Sequence, residues 1–227
     1  MWRPAAPTHQ TALVGRIDTV IFDLGGVLSL SGRAIDMARR FPSHPPEVVM
    51  NVLMGDYASD HDHPWHRLER GEISMNEYRE AVAPLIAEAG LVAAEPPPEI
   101  KKGSGVNFAF VRSEPMFALV DDLRANGLRV GVLTNNVREL RSRWWDLVDF
   151  PSLFDDIVDS HEVGLRKPNA AIYHLALDRL GAAAERTAFL DDMVVNVDAA
   201  RAVGMHGVLV EDDQSGAIAT VRDLAGV

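Results

Sequence analysis

Asp23, Thr134, Lys167 and the pair Asp191–Asp192 lie far apart in the chain but share a setting and a chemistry. Asp23 follows the apolar run Thr19–Phe22, Thr134 follows Leu128–Leu133, and Asp191 follows Thr187–Leu190. Each is a polar residue at the end of a short buried-strand pattern. In parallel α/β sheets the C-terminal strand ends gather along one edge, where ligands bind, so these segments are expected to converge. Carboxylates suit a hard cation such as Mg²⁺. An aspartate can attack phosphorus and form an acyl phosphate. The Thr134 hydroxyl and the Asn135 backbone N–H can donate to phosphoryl oxygens, and Lys167 supplies fixed positive charge. Pro168 is read as the first residue of a helix whose N-terminus adds a partial positive end beside Lys167.

Four ordered stretches carry these residues: Phe-Asp-Leu-Gly-Gly-Val-Leu (22–28), Leu-Thr-Asn-Asn (133–136), Gly-Leu-Arg-Lys-Pro (164–168) and Phe-Leu-Asp-Asp-Met-Val-Val-Asn (189–196). Together they resemble the motifs of the haloacid dehalogenase-like hydrolases, over about residues 18 to 212. The likeness is strongest to members with a helical cap after the first motif, such as sugar-1-phosphate phosphatases and the phosphatase domain of bifunctional epoxide hydrolases. Glu69–Ser74 also looks like part of such a cap. The resemblance implies a site with these roles: Asp23 as nucleophile and metal ligand, the Gly25 carbonyl as metal ligand, Thr134 and Asn135 as phosphate binders. It further implies that Lys167 ties nucleophile to phosphate, Asp192 binds Mg²⁺, Asp191 does so directly or through water, and Asn196 supports the ligands from behind.

One position departs from the pattern. Phosphatases of this family usually carry a second aspartate two residues after the nucleophile, as general acid and base, and here that residue is Gly25. Its carbonyl can still meet a metal, but it offers no proton to a leaving oxygen. General acid–base catalysis is typically worth about 10²–10⁴-fold. Three outcomes follow: a slow phosphatase, one that favours good leaving groups, or a protein without turnover.

The elements that must position these residues are legible in outline. Helices are expected over Pro115–Asn126, capped by Ser113 and stopped by Gly127, over Pro168–Leu180, and over Val195–Val203; a last strand is expected over His206–Val210. Alternating strands and helices from about residue 113 imply βαβ units. From about Ser31 to Val111 the pattern is helical instead, notably over Ser74–Ala89, where Tyr78, Val82, Leu85 and Ile86 share a face. The expected fold is therefore an α/β core with a doubly wound, mostly parallel sheet, over residues 16–30 and 112–227. A helical cap over 31–111, broken by Glu95–Pro98–Glu99, and a loose tail over 1–15 complete it.

Composition narrows the partners. A chain of 227 residues with net charge −11 repels nucleic acid and anionic membranes, so neither is expected, and a phosphate site needs local cations. The absence of cysteine excludes disulfides, thiol catalysis and Cys-ligated zinc. No apolar run is long enough to span a bilayer, and the default location is cytoplasmic. Monomer and homodimer stay open.

His61, Asp62, His63 and His66 invite a metal reading, but Pro64 interrupts their spacing, and a polar cap segment is favoured. One of these histidines, or Glu69 or Glu72, could instead reach the site and replace the missing acid. Trp144–Trp145 are expected between core and cap, and Asp155–Asp156 and Asp212–Asp213 on the surface. The functional expectation is a Mg²⁺-dependent hydrolase of a small phosphorylated metabolite, acting through an aspartyl-phosphate. Its rivals are a metal-independent 2-haloacid dehalogenase, and a non-catalytic regulatory protein that keeps the phosphate and metal pocket.

Overall fold

A computed structural model describes residues 16–31, 34–94, 110–146 and 148–227. The expected tail over 1–15 and the break at Glu95–Glu99 lie outside the described residues. Five strands, β1 (Thr19–Phe22), β2 (Arg129–Thr134), β3 (Asp156–Asp159), β4 (Thr187–Asp191) and β5 (His206–Leu209), form one all-parallel sheet in the order β3-β2-β1-β4-β5. The first strand is central and pairs with β2 on one side and β4 on the other. The helices are α1 (Pro46–Met54), α2 (Pro64–Glu69), α3 (Met75–Glu88), α4 (Glu114–Ala125) and α5 (Arg141–Trp145). They continue with α6 (Phe150–Leu153), α7 (Ser160–Val163), α8 (Ala170–Leu180), α9 (Val194–Ala202) and α10 (Ser215–Ala225).

The strand period of two sorts the core into two layers. Val20 and Phe22 point into a cluster with Val132, Leu190 and the apolar sides of α4 and α10. Ile21 points the other way, with Leu133, Phe189, Ile172 and Leu177. The sheet is thus covered on both faces, which is why its strands read as continuous apolar runs. Gly131 interrupts β2 for a packing reason: a Cβ there would meet Leu180 Cδ1 at 2.8 Å.

Between β1 and α4 the chain builds a separate helical cluster. A 3₁₀ segment over Ala34–Arg40 and α1, α2 and α3 enclose Phe41, Val49, Leu53, Leu68, Tyr78 and Val82. The same cluster takes in Val137 and Leu140 from the loop after β2. Helix α3 starts in a reciprocal capping box, Ser74 with Glu77.

Three expectations are corrected. Helix α8 begins at Ala170, where the Asn169 side chain accepts from the Ala171 N–H; Pro168 lies ahead of it, so the helix end is set by an Asn cap and not by the proline. Trp144 is fully buried against Phe150 within the sheet's own core, with Trp145 packed beside it, so the pair fills a core layer and not the seam with the helical segment. Asp156 opens β3 and is half-buried; only Asp155 of that pair is exposed, and its Oδ2 accepts from the Val130 N–H at 2.8 Å.

Candidate active site

The strand ends bring the four segments together. Asp23 follows β1 directly, and its N–H donates to Leu190 O at 2.8 Å, which fixes it beside the end of β4. Asp191 is the last residue of β4 and Thr134 the last of β2. Lys167 arrives from the loop before α8, fully buried, and uses all three of its N–H donors. They go to Asp191 Oδ2 at 2.6 Å, Asp23 Oδ1 at 2.8 Å and Leu133 O at 3.1 Å.

Asp191 is saturated by the protein. Beyond Lys167 it accepts from the Met193 N–H at 2.8 Å and from Asn196 Nδ2 at 3.0 and 3.1 Å. Asp192, half-buried, leans over the loop after β1: a Cβ on Gly26 would lie 2.4 Å from Asp192 Oδ2. Gly26 is therefore there to admit that carboxylate, and its φ of 77° adds a second demand for glycine. Gly25 is not among the glycines with positive φ, so its backbone imposes no left-handed demand for glycine.

Oxygens of Asp23, Asp191 and Asp192 lie within 4.8 Å of one another, the only such metal-capable group among the described residues. Asp23 and Asp191 share the one Lys167 ammonium, so these three side chains together carry a net negative charge. Burial pushes the Asp23 carboxyl up to about 6; Lys167 lowers it and Asp191 raises it further. Burial pulls the Lys167 ammonium down, but Asp191 and Asp23 outweigh it, and the net direction is up. The hard oxygen donor set fits Mg²⁺ in kind. A second observation agrees: Asn196 Oδ1, at the cavity wall, is buried without a hydrogen-bond partner, an acceptor placed where a metal-bound water could donate.

These groups line a cavity of about 100 Å³, closed by Met37, Met54, Tyr57, Trp65 and Glu69 from the helical segment. Of the residues considered for the missing acid, Glu69 reaches this wall. Glu72 is held outside by Arg70 at 2.6 Å. Among the histidines, His63 caps α2 by accepting from the Trp65 N–H, and His66 Nδ1 accepts from the His61 N–H. Burial pulls His66 down to about 4, so it stays neutral.

Residues not singled out from the sequence complete the wall. Arg166 is fully buried, donates through Nε to Glu69 Oε2 at 2.7 Å and lies 4.6 Å from the Tyr57 ring centre. The Tyr57 hydroxyl donates to Glu69 Oε1 at 3.0 Å and accepts from Asn135 Nδ2 at 3.1 Å. The Asn135 side chain also clips the Lys167 backbone, accepting from its N–H at 2.8 Å and donating to its carbonyl at 2.9 Å. That leaves the Asn135 backbone N–H, not its amide side chain, for a ligand. Thr134 is buried, and the helical turn that follows, from Arg138, has no side-chain cap, so capping is not its role. The adjacent Arg166–Lys167 pair in an acidic chain was the available signal for Arg166; nothing local marks Tyr57.

Comparison with known proteins follows the same outline. A haloacid dehalogenase-like hydrolase profile matches residues 17–204. A sesquiterpene phosphatase of Aspergillus oryzae is 30% identical over 85% of this chain and 89% of its own. Mouse acyl-CoA dehydrogenase family member 10 is 29% identical over 85% of this chain, which spans only 18% of that protein. Among solved structures, a predicted HAD-like family hydrolase from Porphyromonas gingivalis superposes with a TM-score of 0.61 at 26% identity, covering 92% of this chain and 98% of that one. A HAD family enzyme from Bacteroides thetaiotaomicron, in complex with magnesium and inorganic phosphate, gives 0.56 at 19%, over 87% and 96%. An L-2-haloacid dehalogenase from Xanthobacter autotrophicus gives 0.56 at 19%, over 93% and 84%, so fold alone does not separate the two chemistries.

Proposed function

Because the chain belongs to the haloacid dehalogenase-like hydrolases, we propose that it hydrolyses a small phosphate monoester with Mg²⁺ and uses Asp23 as the nucleophile. The observation that carries this reading is Lys167, clamped between Asp23 and Asp191, so that two carboxylates share one ammonium, with the Asp192 carboxylate within 4.8 Å of them. A phosphate cannot approach such a cluster without a cation. Asp23, the Gly25 carbonyl and Asp192 would hold the ion, with Asp191, already committed to Lys167 and Asn196, reaching it through water. Bound there, Mg²⁺ supplies the charge that offsets repulsion between carboxylate and phosphate.

The chain's own residues then do the following. An Asp23 oxygen forms a bond to phosphorus as the ester P–O bond breaks, and the leaving oxygen departs with the bonding pair as an alkoxide or aryloxide that takes its proton from water. Lys167 keeps Asp23 ionised and aimed, and the Thr134 hydroxyl and Asn135 N–H hold phosphoryl oxygens. Water then attacks the aspartyl-phosphate, releasing inorganic phosphate and restoring the Asp23 carboxylate. Helices α1 to α3 act as a cap that excludes bulk water. With Gly25 in place of an acid, good leaving groups are favoured.

A dehalogenase would displace halide from carbon and has no use for a cation, and the charge imbalance at Asp23 counts against it. A screen of phosphorylated metabolites with Mg²⁺ tests the proposal. Phosphate release should require Mg²⁺, stop with EDTA, and vanish in Asp23→Asn. Activity that survives chelation, or that persists in Asp23→Asn, overturns it. Mg²⁺ and phosphate binding with no turnover of any ester would favour the regulatory alternative.

A further inference from the structure

We propose that a second cavity, between the helical segment and the stretch Glu139–Arg143 after β2, takes the apolar tail of the phosphate ester whose head lies at Asp23, so that the substrate is a phosphate ester of a long hydrocarbon chain. This rests on the phosphatase reading above. The cavity holds about 450 Å³, against about 100 Å³ beside Asp23. That is within the size range of small-molecule sites, about 300–1,000 Å³. Its wall is built by Phe41, Leu53, Tyr78, Val82, Ile86 and Leu91.

Three observations tie it to the site. Met37, Trp65 and Leu140 line both cavities, so the two share a boundary made of apolar side chains. Three of the polar wall residues are turned to other work. The Tyr78 hydroxyl donates to Leu53 O at 2.9 Å, Glu139 Oε1 accepts from the Met75 N–H at 2.9 Å, and Arg79 bonds Asn76. Arg40, Arg79 and Arg143 also line the cavity, and all three are exposed to solvent. A sugar or nucleotide would find few partners for its hydroxyls on such a wall, and burying them unpaired is costly. A hydrocarbon chain needs none. A wide apolar hollow of this size in a folded protein is the usual mark of a binding groove, since interiors otherwise close over such space.

Calorimetry with methylphosphonate and decylphosphonate, each with Mg²⁺, tests the cavity without requiring turnover. Decylphosphonate should bind about 100-fold more tightly, the gain from burying only a few of its methylene groups. Ile86→Trp fills the cavity and should erase most of that gain while leaving methylphosphonate unchanged. Ala83→Phe, at an exposed position on the same wall, should reduce it in the same direction if Ile86→Trp does not fold. In turnover, 4-nonylphenyl phosphate should exceed phenyl phosphate in kcat/KM by a similar factor, with leaving-group chemistry held constant. Equal binding of the two phosphonates, or an advantage that survives both variants, overturns the proposal. A tail advantage that is lost in the variants, with no ester hydrolysed, keeps the cavity and sinks the phosphatase reading. Hydrolysis with no dependence on tail length does the reverse.

Discussion

Two polar clusters meet around the cavity at Asp23, each with members in its wall, and they are built on opposite terms. Asp23, Asp191, Asp192 and Lys167 come from strand ends and their adjoining loops, and their charges do not balance. Tyr57 and Glu69 come from the helical segment, Arg166 and Asn135 from the core, and their charges do balance: one carboxylate, one guanidinium, and two neutral side chains that join them. The first cluster calls for a cation; the second pairs its carboxylate with its guanidinium, with Asp60 also lying 4.0 Å from Arg166 and Arg166 Nη2 left without a hydrogen-bond partner. A group meant to receive ligands keeps unmet charge. A group that joins two parts of the molecule meets its own, because burying it would otherwise cost too much. On the proposed reading, Glu69 and Arg166 would position Lys167 through Asn135, and Asp23 would be the nucleophile.

The comparison breaks most sharply at Asp23. Asp23→Asn should lower kcat by on the order of 10⁴-fold or more, as removal of a nucleophile does, with the fold retained. Single-turnover phosphate release measures this. A loss under tenfold would move the nucleophile elsewhere.

Next in size is the seam. Arg166→Met leaves Glu69 buried without its counter-charge and should cost about 3–5 kcal/mol of unfolding free energy. Glu69→Gln together with Arg166→Met should recover most of that loss, because no unpaired charge remains. Urea unfolding of the two variants checks it; a double variant no more stable than Arg166→Met would mean the pair is not what holds the seam. If Glu69 also donates a proton to the leaving oxygen, Glu69→Gln alone should slow alkyl phosphates and spare aryl ones.

Gly25→Asp comes third. Its φ is not in the left-handed region, and an added acid should raise turnover of alkyl phosphates by about 10²-fold, the lower end of general acid catalysis. Aryl phosphates should change little. Equal gains on both would mean that the new carboxylate acts on the metal and not as an acid.

The two clusters also differed in how far the sequence could show them. Asp23, Thr134 and Asp191 each end an apolar run, and the parallel sense of the sheet follows from the alternation of runs and helices. Lys167 has no strand to mark it and came from the company of its motif. Strand β3, Asp-Ile-Val-Asp, was not foreseen, because two apolar residues between acids on an edge strand carry too little pattern. Arg166 and Glu69 are 97 residues apart, and no periodicity links them. Tyr78, Val82 and Ile86 were legible as one helix face, but a face looks the same in sequence whether a neighbour fills it or it borders a cavity.

The smallest effect sharpens the claim of unmet charge. Without metal, the Asp23 carboxyl has a folded pKa of about 6, above its unfolded value of 3.8. Between those values the folded protein holds a proton that the unfolded chain has lost. The group's contribution to stability is therefore fully present below 3.8 and is lost as pH rises toward 6. Mg²⁺ takes the carboxylate, so below about pH 6 it must displace that proton, and its affinity should fall by up to about tenfold per pH unit. The rise in Tm on adding Mg²⁺ should thus be larger at pH 7 than at pH 5, and Asp23→Asn should flatten the difference. Thermal melts at the two pH values decide it: an Mg²⁺ shift that is equal at both would mean that Asp23 is already ionised without the metal, and that the lysine alone satisfies it.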